Sequence, residues 1–142
     1  MKASILLALV GLSMSSAQAA DKVVALACEG TKRMNYYDDD QPGVPSKMSL
    51  EVNFTARTIT GFRNYPDMFY DFPLAITAVD ETTVRFRGSE ISGNEETVIK
   101  GAIDRMSGDA EMAISLGHAK RIYGRPLIFS HSLTCKPIEP LF

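Results

Sequence analysis

Two histidines, two cysteines and a few neighbouring carboxylates are the side chains of this sequence with chemistry to offer. A hydrolase of the Ser-His-Asp kind needs an imidazole oriented by a carboxylate beside a positioned hydroxyl. His118 and His131 are the only imidazoles, no G-x-S-x-G motif accompanies them, and Gly117-His118 reads as a turn. Metal ligation finds no support in spacing, because H-x-H, H-E-x-x-H and C-x-x-C are all absent. Asp38, Asp40 and Gly43 match positions one, three and six of a calcium loop. Pro42 then falls at position five and Ser49 at position twelve, where a bidentate glutamate is required. Glu95 and Glu96 are adjacent in a polar loop tip, residues 92–96, whereas glycosidase carboxyls face one another across about 5–9 Å. No catalytic set assembles. The sequence therefore reads as a non-enzyme with neither metal nor cofactor. Asn53-Phe54-Thr55 is a glycosylation sequon by pattern, and the leader described below is of bacterial type, so it is assigned no role.

His131 and one aromatic segment remain as candidate ligand contacts. His131 shares a strand face with Leu127, Phe129, Leu133 and Cys135. A histidine on such a face is either a hydrogen-bonded core residue or the polar group of a ligand cavity. Residues 62–72 hold five of the twelve aromatic side chains, more apolar area than a connection needs. Such a loop either plugs a barrel end or stacks on a ligand. Tyr65, Phe69, Tyr70 and Phe72, together with His131, are the ligand-binding candidates.

The elements that must position these residues are strands. Period-two alternation dominates, most clearly over residues 47–54, where Met48, Leu50, Val52 and Phe54 share one face. Leu74, Ile76 and Ala78 alternate on one arm of a hairpin, and Val84 and Phe86 on the other. A second hairpin has Ile99, Gly101 and Ile103 facing Met112, Ile114 and Leu116, with Gly108 supplying the left-handed turn residue. Residues 23–28, 58–62 and 127–135 complete about eight strands with short connections. No connection is long enough for a parallel crossover. The expected fold is all-β, an antiparallel up-and-down β-barrel of about eight strands, with a β-sandwich as the alternative. The inward set is expected to include Met48, Leu50, Val52, Phe54, Val84, Phe86, Ile103, Met112, Ile114 and Phe129. Residues 37–45, acidic and broken by prolines, read as a solvated loop.

The first residues read as an export signal. Lys2 precedes an apolar run from Ile5 to Val10, and Ala17 and Ala19 form an A-x-A site, which makes residues 1–19 a signal peptide and 20–142 a single barrel domain. A lipoprotein reading of Leu26-Ala27-Cys28 is opposed by Asp21 and Lys22, which interrupt the apolar run. Loss of Lys2 leaves 14 of the 15 basic residues against 17 acidic ones, a net charge of −3. That balance offers no field for nucleic acid or an anionic membrane, and the apolar run is too short to span a bilayer. Cys28 and Cys135 are expected to pair, because an exported chain meets an oxidising compartment. Their bridge would set the first and last strands side by side.

The leader, Cys28, the Gly101-Ala102-Ile103-Asp104-Arg105-Met106-Ser107-Gly108 hairpin and the tail Leu133-Thr134-Cys135-Lys136-Pro137-Ile138-Glu139-Pro140-Leu141-Phe142 resemble small uncharacterised exported proteins of alphaproteobacteria. That resemblance implies a periplasmic or secreted location and a rough fold, and it carries no activity. Lipocalins and avidins are barrels of this size, but they use tryptophan near the barrel and this chain has none. The function expected is a binding module for a small apolar or amphipathic ligand. The alternative is a protein-interaction module, such as an inhibitor of an envelope hydrolase, whose partner is an envelope protein.

Overall fold

Alternation along each strand sends one set of side chains inward, and the strands close on themselves to enclose that set. The structure, a computed structural model, describes residues 22–35, 42–61, 63–64, 68–69 and 72–138. In chain order the elements are β1 (Val23–Met34), β2 (Val44–Asn53), β3 (Thr58–Thr60), β4 (Arg63–Asn64), β5 (Met68–Phe69), β6 (Leu74–Val79), β7 (Thr83–Ser92), β8 (Glu95–Asp104), β9 (Asp109–Leu116), α1 (Ala119–Tyr123) and β10 (Leu127–Pro137). Eight of these strands form a closed barrel in the order β1-β10-β9-β8-β7-β6-β3-β2, and β4 pairs only with β5. Every pairing in the barrel is antiparallel. The fold is the expected barrel rather than a sandwich.

Closure runs through β1, which pairs with β2 on one side and β10 on the other. Cys28 and Cys135 stand directly opposite in the β1–β10 register with their Cα atoms 4.0 Å apart, and they form a disulfide. Among the described residues no helix is long and apolar enough to cross a membrane.

The interior is filled by side chains. Ile59, Leu74, Ile99 and Ile114 are fully buried, and Met48, Leu50, Val52, Val84, Phe86, Ile103 and Met112 join them in one cluster. Phe54 and Phe129 pack against this cluster but remain half-buried, since Phe54 follows the last residue of β2 and Phe129 lies near the start of β10. A Cβ at Gly101 would lie 2.5 Å from the Phe86 ring, so the missing side chain makes room for that ring. Both long hairpins form as expected. The β8–β9 turn is held by the Asp104 carboxylate, which accepts from the backbone N–H groups of Met106 and Ser107 at 2.8 and 2.9 Å, and Gly108 takes φ 80°.

Several expectations need correction. Ala78 is exposed, because the β6–β7 register shifts between Ile76 and Ala78 and turns the rest of the strand outward. β1 runs on to Met34 with no change of sign in its pairing, since Gly30 and the polar residues around it still find backbone partners on both neighbours. Val44 and Pro45 belong to β2 rather than to a loop, whereas Asp38 and Asp40 lie outside the described residues. Glu95 and Glu96 lie in β8, so the tip there is only Gly93 and Asn94. α1, a single turn ended by the left-handed Gly124, has too few residues to leave a periodic signal.

Two measurements test this architecture. Reduction of the Cys28–Cys135 bridge, which closes 107 residues, is expected to lower stability by up to about 4–5 kcal/mol through the entropy of the unfolded chain. Denaturant curves with and without reductant read this directly, and coincident curves would contradict it. Phe86→Ala is expected to cost about 3–5 kcal/mol in the same assay, as large buried rings do.

Candidate functional site

Lys32 on β1 lies directly across from His131 on β10, and Ser46 on β2 lies directly across from Gly30. Gly30 itself stands opposite Leu133 on β10, so Ser46 and His131 meet diagonally across β1. The Ser46 Oγ lies 3.3 Å from His131 Nδ1, and both residues are buried. β1 also approaches β10 closely here, since a Cβ at Gly30 would come within 2.1 Å of the Ser132 carbonyl oxygen. His131 is only 2% exposed, and its Nε2 has no hydrogen-bond partner among the described residues. Burial, and secondarily the positive charge of Lys32, lowers its pKa from 6.5 to about 4. The imidazole is therefore neutral at neutral pH. No carboxylate orients it, so the arrangement provides neither the base of a catalytic triad nor a metal-binding group of acidic and imidazole ligands among the described residues.

The aromatic candidates divide. Tyr65 and Tyr70 lie outside the described residues. Phe69 is placed by its backbone alone, opposite Arg63 in the β4–β5 ladder. Phe72 is half-buried and packs on the core, and its ring edge lies where a Cβ at Gly88 would come to 3.4 Å. Phe72 thus acts as part of the barrel filling, and the described residues bring His131 together with Ser46 and Lys32 rather than with an aromatic cluster.

A hollow that the sequence did not single out opens at the end of the barrel where β1 begins and β10 finishes. It encloses about 240 Å³. Val24, Leu26, Val52, Phe54, Val84 and Ile103 supply its apolar wall, while Lys22, Asp104 and Arg105 stand at its rim. The Lys22 ammonium lies 5.4 Å from the Phe54 ring centroid, a cation–π distance. The Arg105 guanidinium donates to the Asp80 carbonyl oxygen at 2.7 Å, which holds it at the rim, and it forms no salt bridge among the described residues. Asp104 is engaged by its own turn. The backbone N–H of Ser107, and then that of Met106, holds its carboxyl below the usual carboxylate range. Asp104 therefore stays ionised, and the rim carries two cations and one carboxylate over an apolar floor. These residues come from four strands and the segments next to them, and nothing in their spacing marks them as neighbours. The one available signal was Phe54, an apolar ring at a strand's end.

His131 also sets a pH dependence. The unfolded chain takes up this proton near pH 6.5 and the folded protein near pH 4. As pH falls through that window the unfolded state binds more protons, so stability drops, by about 3 kcal/mol in total, and the contribution levels off below pH 4. Asp80 and Asp104, whose pKa values are lowered, lose their contributions at and below the ordinary carboxylate range. Comparing denaturant midpoints of the wild type and His131→Gln between pH 7 and pH 4 isolates the histidine. The variant is expected to show the shallower fall, and parallel profiles would contradict the assignment.

Compared with known proteins, the chain matches no family model, no curated protein and no solved structure.

Proposed function

We propose that this protein is a small exported binding module that takes an amphipathic ligand, with the apolar part in the barrel mouth and an anionic head beside Lys22 and Arg105. The observation that carries this reading is the mouth itself, an apolar hollow whose rim holds two cations and one carboxylate, the latter engaged by its own turn. Its 240 Å³ falls below the roughly 300–1,000 Å³ of pockets that hold drug-sized molecules, which favours a single short chain. A filled interior supports binding at the mouth over a ligand swallowed whole. The disulfide supports an oxidising compartment, hence a periplasmic or secreted location.

Decanoate, titrated by calorimetry, is the probe. Saturable binding with a negative heat-capacity change is expected, as apolar surface is buried. Val24→Glu, which puts a carboxylate into the mouth, is expected to abolish the binding, and Lys22→Gln to weaken it several-fold. Circular dichroism checks that the variants keep the barrel. An absence of saturable binding, or binding indifferent to Val24→Glu, would overturn the reading.

A protein-interaction module is the second reading, and Met106 favours it. This side chain is 81% exposed at the tip of the capped β8–β9 turn, a rigid apolar protrusion. Inhibition of a peptidoglycan hydrolase by the wild type and not by Met106→Asp would favour this second reading over the first.

A further inference from the structure

The outer wall of the barrel carries a second hollow, of about 680 Å³, across β6, β7, β8, β9 and β10. Its shape follows from side-chain size. Ala102, Ala113, Ser130 and Ser132 form a low floor, and longer side chains rise around it. Arg85 and Arg87 stand two residues apart on one face of β7, about 6–7 Å along the strand. Lys100 lies directly opposite Arg87 on β8. Like charges directly opposed in a sheet destabilise it. Elsewhere the barrel wall does the reverse, since the opposed Lys47 and Glu29 form an ion pair at 2.9 Å. Among the described residues none of Arg85, Arg87 and Lys100 forms a salt bridge. Two carboxylates are near: Glu111 lines the same hollow, and Asp80 senses the charge of Arg85. Neither stands opposite the Arg87–Lys100 pair in the ladder.

We propose that this hollow binds a multiply charged oxyanion of the phosphate class, held by Arg85, Arg87 and Lys100. Guanidinium groups present paired N–H donors that match two oxygens of one phosphate, and the lysine adds a point charge. The Ser130 and Ser132 hydroxyls lie across the same floor as further donors. The face is open to solvent and its three cations are spread over two strands, which suits a phosphate group carried on a larger body: a soluble polyphosphate or phosphate ester, or a lipid headgroup. An anion here offsets the repulsion between Arg87 and Lys100, so it binds the folded protein and raises its stability by linkage.

The test uses sodium tripolyphosphate, with sodium chloride matched for ionic strength, and reads the thermal midpoint. The wild type is expected to gain about 5 °C over the chloride control at a concentration near ten times the Kd. Lys100→Glu puts a carboxylate opposite Arg87, and is expected to melt higher than wild type without anion and to bind tripolyphosphate at least tenfold more weakly. Lys47→Gln, on the far wall, is expected to keep the full response. Vesicles of phosphatidylcholine containing phosphatidic acid distinguish the sources. Co-sedimentation with them that is lost in Lys100→Glu assigns a lipid headgroup, and a tripolyphosphate response without co-sedimentation assigns a soluble anion. A wild-type response no larger than that of chloride, or an undiminished response in Lys100→Glu, would overturn the proposal.

Discussion

The ladder between β1 and β10 closes the barrel, and the rest of the structure depends on that closure. Without it the chain would be an open sheet with two unpaired edges, each a row of unsatisfied N–H and C=O groups. The register runs from Leu26–Pro137 to Met34–Phe129, and the Cys28–Cys135 disulfide lies within it. The bridge joins residues that the ladder already opposes, so it reinforces the pairing that shuts the barrel. Closure also converts the inward faces of eight strands into one apolar interior, since each face would otherwise need a second layer to cover it.

The same seam creates the polar element of that interior. Ser46 and His131 sit on the two strands that flank β1, and they meet diagonally across it. One imidazole nitrogen meets the Ser46 hydroxyl and the other has no partner among the described residues, in surroundings that suppress its charge. An unpaired buried nitrogen is costly, and that cost falls on the seam that must hold the barrel closed. Among the described residues the histidine's hydrogen-bond partner is Ser46, which ties the two strands on either side of β1.

Function, on the reading proposed above, belongs to the surfaces that closure leaves over. The mouth is where strand ends diverge and the apolar interior reaches solvent, with Lys22 and Arg105 at its edge. The outer hollow arises because small side chains on three adjacent strands lower the wall beneath Arg85, Arg87 and Lys100. Both are weighted to positive charge although the whole chain is weakly acidic, with 15 basic against 17 acidic residues. Net charge describes long-range behaviour, and the position of a few side chains decides what a short-range site attracts.

The sequence by itself determined the strands, the barrel and the disulfide. Period-two alternation is a local property, visible at Met48, Leu50, Val52 and Phe54 or at Ile99 and Ile103, and two cysteines admit a single intramolecular pairing. Local pattern also placed His131 on the inner face correctly. It went wrong where register intervenes, as at Ala78, whose face is set by a shift in pairing with β7 that no run of its own residues records. Only the tertiary structure decided the sites. Ser46 against His131 across β1, Lys100 against Arg87, and Lys22 over Phe54 beside Arg105 are each relations between segments distant in sequence or across a ladder. Such relations depend on how strands order and stagger around the closed barrel, and one strand's alternation says which face a residue takes but not which residue of the next strand it meets.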